Sequence, residues 1–145
     1  MTEMHRVLVA VADSPASLAA ARTAVDLAAR LHGELRAIHV IADGDLTTLL
    51  EAAGRQTHLT ERRGSAAVSV LRHVAELAGR AGVPVTTVQE EGDVAPRILD
   101  QARNWPADLV VVGRTTRRGA GDPFIGIETQ RVLEFCDRPV LVVPG

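Results

Sequence analysis

Residues 107–129 read ADLVVVGRTTRRGAGDPFIGIET and combine an apolar run, a glycine-rich basic loop and the start of a helix. The run from Leu109 to Val112 is short and rich in β-branched residues, which predicts a strand buried on both faces. Gly113 ends it, and apolar residues recur at helical spacing from Glu128 to Cys136. Because ligands in parallel α/β sheets bind at the carboxyl ends of strands, this loop is the first place to look for function.

The composition indicates one domain, residues 1–145, with an aliphatic core. Hydrophobic residues make up 46% of the chain and aromatic residues only 2%. The net charge of −2 gives no support for nucleic-acid binding. The single cysteine excludes an internal disulfide and fits a reducing cytoplasm. No apolar run approaches the length of a signal peptide core or a membrane span, so we expect a cytoplasmic protein without a membrane partner.

Strand and helix patterns alternate along the rest of the chain. Ser14 and Asp93 stand at N-cap positions of two helices, and Pro15 suits a first helical position. Residues 42–59 are expected to form a mobile connection with a helical turn. The alternation predicts a parallel, doubly wound, Rossmann-like α/β sheet with right-handed crossovers. The other predicted strands are 6–12, 35–41, 84–89 and 139–144, and the other predicted helices run from 15 to about 32, within 60–81 and from 93 to about 105.

Several segments together resemble the universal stress protein family over nearly the whole chain. They are RVLVAVADSPAS (6–17), ELRAIHV (34–40), EEGDVAPRIL (90–99), ADLVVVGR (107–114) and RVLEFCDRPVLVVP (131–144). The resemblance implies a five-stranded parallel sheet in the order 3-2-1-4-5. It also implies a cytoplasmic homodimer linked to stress survival, from a family whose members are mostly not enzymes and many of which bind ATP or another adenine nucleotide.

The nucleotide motif of that family is only partly present in this chain. The motif consists of Gly, two residues, Gly, nine residues, Gly, and then Ser or Thr. The corresponding residues here are Gly113, Thr116, Gly126 and Ile127, so the outer glycines match and the other two positions do not. The family also carries a ribose-binding Asp near the end of the first strand, where this chain has Ala12, with Asp13 one residue late. The resemblance therefore implies a degenerate nucleotide site.

The loop is expected to bind a small anion weakly. Arg114, Arg117 and Arg118 form a cationic cluster, and guanidinium groups match phosphate oxygens. A solvated loop is the alternative, which we favour for Arg117 and Arg118, whereas Arg114 fits both interpretations equally. The candidate nucleotide- or anion-binding residues are Asp13, Val40, Gly113, Arg114, Arg117 and Gly126.

Other reactive residues do not form a recognisable catalytic or metal site. The five histidines lack metal-ligand spacing, and His39 is expected to be a hydrogen-bonded core residue. Cys136 lies on the apolar face of the last helix, which favours an inert buried thiol. Glu90 and Glu91 are expected to lie at a solvated strand end.

Three functions remain open at this point. The first is a non-enzymatic stress-response homodimer whose nucleotide site has degenerated, and the second is an ATP-binding member with at most slow hydrolysis. The third, a nucleotide-transforming enzyme, lacks a supporting acid–base pair. We expect ATP to bind weakly because Ile127 offers no hydroxyl and the Glu128 carboxylate repels phosphate. The predicted dimer contact is the apolar edge of the last strand, formed by Val140, Leu141, Val142 and Val143.

Overall fold

The computed structural model describes residues 4–42, 56–114 and 126–145, and for residues 56–66 it describes the backbone alone. The described strands are β1 (Arg6–Ala10), β2 (Glu34–Ala42), β3 (Val85–Gly92), β4 (Leu109–Arg114) and β5 (Val140–Pro144). The described helices are α1 (Pro15–Arg30), α2 (Gln56–Arg80), α3 (Val94–Asn104) and α4 (Ile127–Phe135).

All the strand pairs are parallel, and the sheet has the order β3-β2-β1-β4-β5. Strand β1 lies at the centre, where Val7 is in register with Leu35 of β2 and with Leu109 of β4. This arrangement confirms the expected α/β fold and strand order. The chain winds outward from β1 in both directions, so a crevice opens between β1 and β4 at their carboxyl ends.

Helices cover both faces of the sheet, as the buried residues show. Val7 and Val9 of β1 belong to a buried cluster with α1 and α2, whereas Leu8 belongs to a second cluster with α3 and α4. Alternate residues of a strand point to opposite faces, which is why one strand supplies both clusters. The core is built from Val, Leu, Ile and Ala. Among the described residues, no helix combines the length and the apolar character that a membrane crossing requires.

Some predicted boundaries shift by a few residues. Strand β1 ends at Ala10 instead of Ala12, because the Ala12 N–H donates to the Ser17 hydroxyl instead of continuing the sheet. Strand β3 continues to Gly92 because it pairs with β2 as far as Ala42. Helix α2 begins at Gln56, four residues before the predicted start, and the rest of the expected connection, residues 43–55, lies outside the described residues.

The two predicted N-caps behave differently. The Ser14 hydroxyl accepts a hydrogen bond from the Ser17 N–H at 3.2 Å, with Pro15 at the first helical position, as predicted. Asp93 occupies the N-cap position of α3, but its side chain makes no capping hydrogen bond. The prediction of an Asp93 cap was therefore right about the position and wrong about the contact.

Side chains close the amino end of the sheet. One carboxylate oxygen of Asp108 accepts hydrogen bonds from the N–H groups of His5, at 2.9 Å, and Arg6, at 3.0 Å. The Arg6 side chain lies 5.6 Å from the Trp105 ring centre, donates to the Trp105 carbonyl and pairs with Glu34 at 2.9 Å. Burial acts to raise the pKa of Asp108, but the backbone hydrogen bonds from Arg6 and His5 outweigh it, so this pKa lies below its ordinary value.

Candidate functional site

A cavity of about 260 Å³ opens at the carboxyl ends of β1, β2 and β4. It lies at the crevice where the winding direction of the sheet reverses, which is the usual ligand position in open α/β sheets. Its walls come from three strands and from the helices α1, α3 and α4. The lining residues are Ala10, Val11, Ala12, Ser17, Ile38, Val40, Val94, Ile98, Val112, Gly113, Glu128, Thr129 and Val132.

Gly113 brings the end of β4 close to the beginning of α1. A Cβ atom built at Gly113 would lie 2.6 Å from the backbone oxygen of Ala16. Such a distance is too short for any side chain, so the packing of α1 against β4 requires glycine here. The packing of α1 against β4 therefore explains a glycine at the first motif position, whether or not a phosphate binds there.

The two hydroxyl groups of the cavity wall already have partners within the chain. The Ser17 hydroxyl accepts from the Ala12 N–H at 2.9 Å, which fixes the turn after β1. The Thr129 hydroxyl donates to the Gly113 carbonyl at 3.0 Å and joins α4 to the end of β4. Thr129 is buried, so this hydrogen bond also satisfies a polar group inside the protein. Both hydroxyls therefore shape the wall.

Glu128 carries the charge of the cavity wall. It is the second residue of α4, and its carboxylate accepts a hydrogen bond at 3.0 Å from the N–H of Ala95, the second residue of α3. The Glu128 side chain thus supplies the capping contact that Asp93 was expected to make. Its other oxygen lies 3.8 Å from the Arg131 guanidinium, a long ion pair in which both side chains are about half exposed.

The predicted site residues are distributed around the cavity. Val40 and Gly113 line it, whereas Asp13 is exposed beside it and does not belong to its wall. Gly126 precedes α4 with a φ of 100°, a conformation that favours glycine. Thr116, Arg117 and Arg118 lie outside the described residues. Ala12, the residue that replaces the expected ribose-binding Asp, does line the cavity.

Arg114 ends β4 one residue beyond Gly113. It is half-buried, and its Nε atom is buried without a hydrogen-bond partner among the described residues. By strand alternation it lies on the same face of the sheet as Val112, which contributes to the cavity wall. A guanidinium group with an unused donor is suited to an anion.

The remaining predictions on individual residues gave mixed results. His39 is hydrogen-bonded, as expected, because its Nδ1 donates to the Val11 carbonyl at 2.8 Å, but it is half-buried and not part of the core. Glu91 is exposed at the end of β3, as expected, whereas Glu90 is half-buried and its carboxylate accepts from the Gln101 side chain at 3.1 Å. Cys136 is half-buried at the end of α4, which is less burial than expected. Within the described ranges, no group of His, Cys, Asp and Glu side chains is arranged to hold a metal ion.

Sequence reasoning missed the contact between Glu128 and Ala95. The two residues are 33 positions apart and belong to different helices. The signal in the sequence was an acidic residue in the first turn of α4, which is also explained by the dipole of its own helix. Local spacing cannot distinguish the two arrangements, because the second depends on how α3 and α4 pack together.

The fold defines a doubly wound α/β protein with a cavity at the topological switch point of its sheet. The model of the "Universal stress protein family" matches residues 3–144, and the chain belongs to this family. Universal stress protein MJ0531 of Methanocaldococcus jannaschii is 30% identical over 138 residues, which cover 95% of this chain and 81% of that protein.

Solved structures of universal stress proteins share the fold. UspA from Lactobacillus plantarum superimposes with a TM-score of 0.81 at 23% identity, covering 99% of both chains. A universal stress protein in complex with cAMP gives a TM-score of 0.72 at 20% identity, over 99% of this chain and 98% of that one. The universal stress protein from Archaeoglobus fulgidus in complex with dAMP gives a TM-score of 0.69 at 15% identity, over 98% of this chain and 99% of that one. At these identities, the likeness concerns the fold alone.

Proposed function

We propose that this chain is a non-enzymatic cytoplasmic stress-response protein that binds the adenosine part of a ligand in the cavity and binds ATP only weakly. The observation that carries the proposal is the composition of the cavity wall. Among the described residues that line it, Glu128 is the only titratable side chain, and most of the others are aliphatic. An apolar cleft with a few polar groups at its mouth is suited to a flat base with an attached sugar.

The size and position of the cavity support a ligand of nucleoside size. About 260 Å³ is slightly below the ~300–1,000 Å³ that is typical of sites for drug-sized molecules, which fits a ligand as small as a nucleoside. Two neighbours in fold were solved with cAMP and with dAMP, which supports an adenine-containing ligand for this family member. Val40 of β2 and Ile98 of α3 provide apolar surface to the cavity, where a base would stack.

The absence of an acid–base pair in the described cavity wall supports a binding function over catalysis. General acid–base catalysis requires a titratable group within hydrogen-bond reach of the reacting atoms, commonly with a second group to complete the proton transfer. Here the Glu128 carboxylate already accepts a hydrogen bond from Ala95, and the Ser17 and Thr129 hydroxyls are engaged with the backbone. None of these groups has the nucleophile–base geometry that hydrolysis employs.

The ATP-binding alternative has one specific observation in its favour. The Nε atom of Arg114 is buried without a hydrogen-bond partner in the described part of the chain, and a phosphate group would satisfy it. The outer motif glycines, Gly113 and Gly126, are both present. We nevertheless favour weak ATP binding, because Ile127 is 53% exposed at the start of α4 and has no hydroxyl for a phosphate.

Calorimetry with ATP and Mg²⁺, together with native mass spectrometry of the purified protein, tests the ligand proposal. We expect no co-purifying nucleotide and no micromolar affinity for ATP. A triple variant, Thr116→Gly with Ile127→Ser and Glu128→Val, is expected to gain ATP affinity because it restores the family motif. Micromolar binding by the unaltered protein, or a nucleotide retained through purification, would establish the ATP-binding alternative instead.

We also propose that the protein is a homodimer joined through β5. The two edges of the sheet differ in polarity: β3 exposes Thr86, Thr87, Gln89 and Glu91, whereas Val140, Leu141 and Val142 of β5 remain only half-buried. Val143, the fourth residue of the predicted contact, is instead buried in the core of the same chain. Leu133 is 40% exposed on the flank of α4 opposite Glu128, hence on the side away from α3. An apolar edge strand beside an apolar helix flank is suited to pairing with its own copy about a two-fold axis.

Sedimentation at micromolar concentration tests the dimer. Val142→Lys and, separately, Leu133→Lys are expected to shift the protein from dimer to monomer, because each places a charge in the proposed contact. Thr87→Lys at the opposite, polar edge serves as the matched control and should leave the dimer intact. A monomeric unaltered protein, or dissociation by the Thr87 variant alone, contradicts the proposal.

A further inference from the structure

The Glu128 carboxylate lies between the first turns of two helices. It belongs to the first turn of α4 and accepts a hydrogen bond from Ala95 in the first turn of α3. Helix N-termini are the places where backbone N–H groups bind anions. The protein's own carboxylate therefore already occupies a position that a phosphate group of a ligand would need.

The same carboxylate faces the cavity without a compensating charge in its described wall. Arg131 pairs with Glu128 at 3.8 Å, but it does not line the cavity. Arg114 does not belong to the described wall either. The charge of the described wall at this end of the cleft is thus a half-exposed carboxylate next to apolar surface, which solvent and salt screen in part.

We infer that Glu128 is a specificity-determining residue that makes this cavity select an uncharged nucleoside over its phosphorylated forms. The inference rests on the proposed adenosine site and names its ligand class. A phosphate competes with Glu128 for the N–H of Ala95 and also meets like charge. The hydroxyls of a ribose are donors, and a carboxylate accepts hydrogen bonds from them without this conflict.

The position of Ala12 gives the carboxylate a second role. Ala12, in the turn after β1, and Glu128, on α4, line the same cavity, and Ala12 stands where the family resemblance implies a ribose-binding Asp. The turn after β1 thus lacks a carboxylate, and α4 supplies one to the same cavity. The second Glu128 oxygen can accept from a ribose hydroxyl, and the amide of a glutamine can replace this contact by donating to the sugar oxygen.

Calorimetric titration with adenosine, AMP and ATP–Mg²⁺ tests the inference on the intact protein and on Glu128→Gln. The glutamine keeps an oxygen that can accept from Ala95, so the contact between the helices survives while the charge is lost. We expect the unaltered protein to prefer adenosine over ATP about tenfold. The variant should gain about tenfold in ATP affinity, while its adenosine affinity changes by less than about threefold.

Two further variants serve as controls. Glu134→Gln removes an exposed charge on the same helix outside the described cavity wall and should change neither affinity. Arg131→Gln removes the cation beside Glu128 and should increase the preference for adenosine further. These surface substitutions keep the test decisive even if Glu128→Gln fails to fold, which circular dichroism would reveal.

The outcomes separate this inference from the proposed function. Equal affinity of the unaltered protein for adenosine and ATP, or an unchanged ratio in Glu128→Gln, overturns the role of Glu128 and leaves the adenosine site standing. Failure of adenosine, AMP and ATP to bind to either protein overturns the adenosine site itself, and the inference with it.

Discussion

The two ends of the sheet are built from similar side chains but use them differently. At the amino end, Asp108 accepts hydrogen bonds from two backbone N–H groups, and Arg6 spans Trp105 and Glu34. At the carboxyl end, Glu128 and the hydroxyls of Ser17 and Thr129 also bond to the chain, but they surround a cavity. The amino-end contacts join the strand starts beside an open depression lined by His5, His32, Gly33, Glu34 and Pro84. The carboxyl-end contacts hold three helices around a mostly aliphatic cavity.

This difference separates stability from binding. The amino-end contacts tie the start of β1 to the turn before β4, and substitutions there should affect folding without changing ligand affinity. The carboxyl-end contacts position α1, α3 and α4 around a space that the chain itself leaves unfilled. Substitutions there should change what the cavity binds, except where a residue is also required for packing.

Gly113 is such an exception and should show the largest effect on stability. Gly113→Ala places a Cβ atom 2.6 Å from the Ala16 backbone oxygen, and relief of this overlap should cost about 1–3 kcal/mol of unfolding free energy. The matched control is Gly79→Ala in α2, where a Cβ meets nothing within 4 Å and helix propensity should add up to about 1 kcal/mol. Urea unfolding measures both changes, and effects of the same sign would contradict this account of Gly113.

Asp108→Asn should produce the next largest effect, confined to the amino end. Loss of the charged acceptor for two N–H groups should lower the unfolding free energy by about 1–2 kcal/mol at neutral pH, a figure limited by solvent screening. Adenosine affinity should not change. The control is Asp100→Asn, an exposed carboxylate on α3, which should leave stability within about 0.5 kcal/mol.

The Asp108 effect should also depend on pH in a definite direction. The pKa of this carboxylate is lowered in the folded protein, so its contribution is present above the ordinary aspartate pKa of about 4 and is lost as the pH falls through the lowered value. The stability difference between the unaltered protein and Asp108→Asn should therefore shrink on acidification. A difference that grows as the pH falls would contradict the proposed cause.

Thr129→Val tests the wall of the cavity with a smaller expected change. The valine has nearly the same shape but cannot donate to the Gly113 carbonyl, which should cost about 1 kcal/mol of unfolding free energy. We expect a local widening between α4 and β4 and hence weaker adenosine binding. A substitution of Val132 would not be a matched control, because Val132 is itself buried. Gln130→Ala, on the exposed side of α4, serves as the control instead.

Arg114→Ala should show the smallest effect. Removal of the guanidinium is expected to weaken sulfate or phosphate binding about threefold, and the loss should diminish as salt is added. Chemical shift titration by NMR at two salt concentrations measures this change. Unaltered anion affinity in the Arg114 variant would place any anion site elsewhere.

The sequence predicted those parts of the molecule that depend on local pattern. Apolar runs located the strands, and the Ser14 cap followed from a contact between residues three positions apart. Asp93 has the same local pattern but lacks the capping bond, because Glu128 from another helix takes the N–H of Ala95 instead. The role of Gly113 in packing was equally hidden, since it depends on the distance between β4 and α1.

The carboxyl end of the sheet is thus expected to bind a nucleoside, while the amino end serves stability. Titration of the ¹⁵N-labelled protein with adenosine, followed by NMR amide shifts, distinguishes the two ends. We expect shifts that saturate at Val40, Gly113 and Thr129, with the amides of Arg6 and Asp108 unmoved. Saturable shifts centred on Arg6 and Asp108, or no saturable shift at the cavity residues, would contradict it.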